Sequence, residues 1–100
     1  MIKYEIWQMP MSNPNKYMCY DWCENSPQIR DYVMVYSGEK EFDYDKESFL
    51  EELFYIFNQE YPVDYHAALV SVSDVFCLID ESNQREWWYV DGIGFKRLDW

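Results

Sequence analysis

Glycine is scarce in this chain, with three residues in 100, and the shortage excludes a good deal. There is no glycine-rich loop to cradle a phosphate and no G-x-S-x-G nucleophile elbow, so the backbone close approach that most cofactor sites use is missing and no cofactor is expected. Histidine occurs once, at His66, and cysteine three times, at Cys19, Cys23 and Cys77. An odd and sparse set of thiols does not staple a fold with disulfides. Cys19 and Cys23 lie four apart and could share a helix face or a metal, but zinc takes about four ligands and only Cys77 and His66 remain. Small packed thiols are the expected alternative, and no metal is assigned.

Basic residues are also few: eight against nineteen acids, a formal charge of −11. Such a field repels nucleic acid and anionic membrane and attracts basic partners, including proteins that themselves hold nucleic acid. No apolar run approaches the roughly 18 residues of a membrane span, and the first residues lack the charged-then-apolar pattern of a signal peptide. A cytoplasmic location is expected.

What is abundant is aromatic. Hydrophobic residues make up 49% of the chain and aromatics 21%, far above the supply at which acidic segments stay disordered. A folded domain with an anionic surface follows, and 100 residues suffice for a single core.

Residues 3–9 alternate as a first strand, with Tyr4, Ile6 and Gln8 on one side. Pro10, Asn13 and Pro14 interrupt the pattern, and 16–24 is ambiguous, with a short helix as one reading. Residues 32–37 read as a second strand ending at Gly38. Ser48-Phe49-Leu50-Glu51 has the form S-x-x-E ahead of an apolar series, which predicts a helix over 48–60 capped by Ser48 and stopped by Pro62. Leu50, Leu53, Phe54 and Phe57 form its buried stripe. Val75 to Ile79 reads as a central strand, 86–90 as its hairpin partner and 94–98 as a last strand after the Asp91-Gly92 turn. The expected fold class is α+β, a small, mostly antiparallel sheet with one principal helix packed on one face, in a single domain over 1–100.

The runs Leu50 to Tyr65, Leu69-Val70-Ser71-Val72-Ser73-Asp74-Val75 and Tyr89-Val90-Asp91-Gly92-Ile93-Gly94-Phe95, in that order and at that spacing, resemble the YodL-like family. The opening Tyr4-Glu5-Ile6-Trp7-Gln8 is similar to that family's first strand. The family pattern carries serine where Gly92 stands. The resemblance implies a small domain of Firmicutes, often carried by conjugative elements, plasmids and phage and associated with countering host defence. It implies no catalytic residues. The Ser71, Ser73 and Asp74 motif reads as side-chain turns that satisfy backbone amides at the entry to the central strand, and Asp91, Gly92 and Gly94 as a structural turn.

Glu39, Glu41, Asp43, Asp45 and Glu47 occupy every second position. If extended, their carboxylates share one side at a spacing of about 6.5–7 Å, a row resembling phosphates. With Glu51 and Glu52 on the following helix, the stretch from Glu39 to Asp64 carries a local charge of −7. Either this is a hydrated, solubilising face, or it docks into the basic groove of a nucleic-acid-binding nuclease, with electrostatic steering. Consecutive Trp87, Trp88 and Tyr89 point to opposite sheet faces. Either the 11–28 segment covers the second face, giving Tyr17, Tyr20 and Trp22 a place to pack, or an indole is left for a partner. The terminal Trp100 is the expected exposed anchor. His66 with Asp64, Ser71, Ser73 and Cys77 can be written as a hydrolase constellation, but only by inventory, and no enzyme is expected. The expected function is therefore stoichiometric binding of a host defence nuclease, of anti-CRISPR or anti-restriction type, with regulation of a host structural or cell-division protein through an aromatic patch as the alternative.

Overall fold

The computed structural model describes residues 1–41 and 45–100. Five strands form one antiparallel sheet: β1 (Ile2–Gln8), β2 (Val33–Lys40), β3 (Val75–Ile79), β4 (Arg85–Val90) and β5 (Phe95–Leu98), in the spatial order β2-β1-β3-β4-β5. Among the described residues a single α-helix, α1 (Lys46–Gln59), packs on one face, so the fold is α+β as the sequence predicts.

Strand β3 sits at the centre, and all five of its residues are buried. That explains its unbroken apolar run, since a strand covered on both faces has no polar side to show. Phe76 and Leu78 turn to the helix, joining Tyr4, Ile6, Val90 and the helix stripe Phe49, Leu50, Leu53 and Phe57. Val75, Cys77 and Ile79 turn the other way, joining Met9, Tyr32, Trp87, Tyr89 and Leu98. Two apolar layers therefore enclose the sheet. The second is roofed by the segment between β1 and β2, from which Tyr20 and Cys23 pack down. Only a 3-10 turn, Tyr20–Trp22, forms where a short helix was one reading. Cys23 packs against the Tyr89 hydroxyl at 3.4 Å.

Two expectations need correction. The helix begins at Lys46, not Ser48, and its N-cap is Asp45, whose carboxylate accepts from the Ser48 amide at 2.8 Å. A carboxylate at this position both satisfies a free amide and complements the helix dipole, so it displaces Ser48 from the capping role. Those same bonds to Ser48 hold the Asp45 carboxyl below its usual range. Secondly, β2 runs on to Lys40, past Gly38. Gly38 is needed there for close approach: a Cβ would lie 2.6 Å from the Tyr4 hydroxyl, its cross-strand partner.

Candidate functional site

The Ser71 to Asp74 motif enters β3 at a buried polar node. Asp74 is fully buried; its Oδ2 accepts from the Ser71 amide at 2.9 Å and from Gln8 Nε2 at 3.1 Å, and its Oδ1 lies 3.4 Å from Lys16 Nζ. The Lys16 head is almost equally enclosed, with 6% of its side chain exposed. Burial pushes the Asp74 carboxyl up to about 6, against the pull of the Ser71 amide and Lys16.

Ser73 adopts a left-handed backbone, φ 87°, in which its polar groups reach separate elements. Its amide donates to Val90 O at 2.9 Å. The Tyr17 amide donates to its Oγ at 2.9 Å and the Tyr32 hydroxyl to its carbonyl at 2.7 Å. Gln8 also reaches Ala68 O at 2.9 Å, and the Tyr65 hydroxyl donates to that same carbonyl. Burial lifts the Tyr65 hydroxyl to about 12 and raises that of Tyr32 further. The node thus ties the end of β1, the roof segment and the loop after α1 to one carboxylate, and β4 to the backbone of Ser73 and Asp74. Gln8, Lys16, Tyr17, Tyr32 and Tyr65 were not singled out as its members. The one sequence signal was Gln8, a polar residue in register with buried Tyr4 and Ile6.

Several members of the hydrolase constellation have other partners. Ser73 Oγ accepts from the Tyr17 amide, burial raises the Cys77 thiol to about 11, and Asp64 accepts from the Tyr36 hydroxyl at 2.9 Å. His66 is exposed and, among the described residues, has no hydrogen bond to Asp64, Ser71 or Ser73. Among the described residues no three His, Cys, Asp or Glu side chains are grouped to hold a metal, and no helix is long and apolar enough to cross a membrane.

Directly after β4, Asp91 Oδ1 accepts from the amides of Tyr20 at 3.0 Å and Gly92 at 2.9 Å. The Asp91 amide closes the turn on Gly94 O at 3.1 Å, with Gly94 at φ 70°. Glu51 and Phe54 of α1 face this turn across a groove that also includes Phe95. A model of the YodL-like domain matches residues 3–100. The chain belongs to that family. In this YodL-like domain the match takes in both nodes, the whole sheet and the helix. Comparison with curated proteins and with solved structures gives no match.

The acidic residues divide. Glu39, Glu41, Asp45, Glu47 and Glu51 are exposed, while Glu52 is half-buried and pairs with Lys40 at 3.5 Å. Lys46 is held by Glu86 at 2.7 Å. A single extended row through Glu47 does not form, because β2 ends at Lys40 and helix α1 begins at Lys46. Asp43 lies outside the described residues. The exposed carboxylates of this acidic rim are instead divided between the exit of β2, with Glu39 and Glu41, and the start of α1, with Asp45, Glu47 and Glu51.

The aromatics are redistributed too. Trp100 is half-buried, not exposed; its ring lies 5.2 Å from those of Tyr32 and Trp87, and its Nε1 donates to Pro27 O at 3.1 Å. Tyr20 packs on Tyr89 at 5.4 Å. Trp22 is the outlier at 74% exposed, with Tyr17 at 50%. The short turn around Trp22 points its indole away from the roof it belongs to.

Proposed function

We propose that this YodL-like domain is a stoichiometric, non-catalytic inhibitor of a host defence nuclease of the anti-CRISPR or anti-restriction type, docking through its acidic rim. The observation that carries this reading is the exposure of Glu39, Glu41, Glu47 and Glu51 in a domain of net charge −11, where Lys40 and Lys46 are each taken by an internal ion pair. A basic nucleic-acid groove meets such a rim favourably over roughly 10 Å at moderate salt, and its association rate gains from steering. The mobile-element setting that the family resemblance implies supports the same target class.

The test is inhibition of purified nuclease at rising salt, with Glu39, Glu41, Glu47 and Glu51 reversed to lysine together. Asp45 is kept, because its reversal would remove the helix cap. Steep loss of inhibition in both arms supports the reading; indifference in both refutes it.

The exposed Trp22 and Tyr17 favour a second reading, regulation of a host structural or cell-division protein through an aromatic contact. Binding by that route changes little with salt and is lost on Trp22→Ala.

A further inference from the structure

The two edges of the sheet are unlike. β5 is four residues long and carries exposed Lys96 and Arg97, the short, charged form in which proteins blunt an open edge. β2 is eight residues long, pairs only with β1, and among the described residues has no backbone hydrogen bond beyond that ladder. Its first residues are apolar and open, Val33 at 63% and Met34 at 42% exposed, just after Ile29 at 44%. Its exit carries the exposed acids Glu39 and Glu41.

On the face away from the helix, Met34 lies beside Trp7, Ser37 beside Glu5 and Glu39 beside Lys3. Glu5 is neutralised by Arg85 at 2.7 Å, and Lys40 on the opposite face by Glu52. An apolar start and an anionic finish are therefore arranged along one strand whose outer edge is open.

We infer that β2 is a strand-addition site for an extended, basic segment of a partner protein. The segment sets an apolar side chain beside Met34 and lysine or arginine beside Glu39 and Glu41. Main-chain hydrogen bonds supply affinity in this mode, and alternate side chains supply the choice of partner. The charge selects the occupant: a second copy of this chain would bring a further −11 to an edge already rimmed with acid, whereas a cationic strand neutralises it. The inference rests on the reading of the domain as a binder of a basic partner and gives that docking a backbone component.

The experiment uses the whole domain and two eight-residue peptides, isoleucine-rich in the half that meets Met34 and lysine-rich in the half that meets Glu39 and Glu41, one unmodified and one methylated at every backbone nitrogen. The unmodified peptide is expected to bind, to slow amide exchange within Val33–Lys40, and to lose affinity with Glu39→Lys and Glu41→Lys. The methylated peptide, with the same charges but no donors, is expected to bind about tenfold or more weakly, as losing two or more net hydrogen bonds requires. Equal binding of the two peptides would overturn strand addition while leaving acidic docking standing. Failure of both to bind would also overturn it, as would peptide-free protection of β2 that grows with protein concentration, which would make the occupant a second copy. Retained nuclease inhibition by the four-site reversal variant would instead refute the docking rim, so the two failures are distinct.

Discussion

The sulfur of Cys19 occupies the space that a side chain at Gly92 would need: a Cβ on residue 92 would lie 2.6 Å from Cys19 Sγ. The neighbouring Tyr20 amide is bonded to Asp91, so the roof segment and the β4–β5 turn are joined at this point. The glycine at this turn is thus matched by a thiol from another part of the chain.

Gly92→Ser is accordingly expected to destabilise the domain by about 1–3 kcal/mol, the usual cost of overpacking. Cys19→Ala in the same chain should recover most of that loss. Denaturant titration of the two single variants and the double variant measures the coupling. An equal cost of Gly92→Ser with and without Cys19 would show that the sulfur is not the obstacle.

Asp74 should give stability an inverted pH dependence over one window. Burial lifts its carboxyl from 3.8 to about 6 in the folded state, so between those values the folded protein binds the proton more tightly than the unfolded chain. Stability from this group therefore falls as pH rises through that window, by an amount on the order of 3 kcal/mol. Relative to Asp74→Asn, the parent protein should gain stability on acidification from pH 7 to 4.5, read as melting temperature. Asp74→Ala, which strands the Lys16, Gln8 and Ser71 donors, should cost about 3–5 kcal/mol at pH 7.

Capping separates two neighbouring residues. Asp45→Ala should lose more stability than Ser48→Ala, since the first removes the capping carboxylate and the second keeps the Ser48 amide that donates to it. Urea unfolding of the pair checks the order, and the reverse order would return the helix start to Ser48.

The tryptophans divide in the same way. Trp100→Ala removes a ring packed on Tyr32 and Trp87 and the bond to Pro27, and should destabilise by about 2–4 kcal/mol. Trp22→Ala should stay within about 0.5 kcal/mol. Acrylamide should quench Trp22 and spare Trp100.

Strands and helix were legible because each rests on local pattern. Alternation gave β1, the β-branched run gave β3, and the Leu50, Leu53 and Phe57 stripe gave the helix face. Its start was misread because Asp45 and Ser48 both satisfy local capping rules, and the carboxylate's added charge decides between them. The polar node was out of reach for a different reason. Lys16, Tyr17 and Tyr32 lie more than forty positions before or one strand crossing away from Ser73 and Asp74, and no periodicity marks such a meeting. Nor could spacing show that Glu39 belongs to β2 and Glu47 to α1. Trp100 looked exposed as a terminal residue, yet the second layer has a vacancy between Tyr32 and Trp87 that only a distant indole fills.

The central claim is that the anionic rim, without chemistry, occupies the basic groove of a defence nuclease. It is tested most directly by titrating the domain and its Glu39, Glu41, Glu47 and Glu51 reversal variant into purified CRISPR effector and restriction nucleases at two salt concentrations. The predicted result is inhibition that saturates near equimolar ratio, weakens steeply with salt and disappears in the variant. Full inhibition by the variant, or inhibition at far below equimolar amounts, would contradict it.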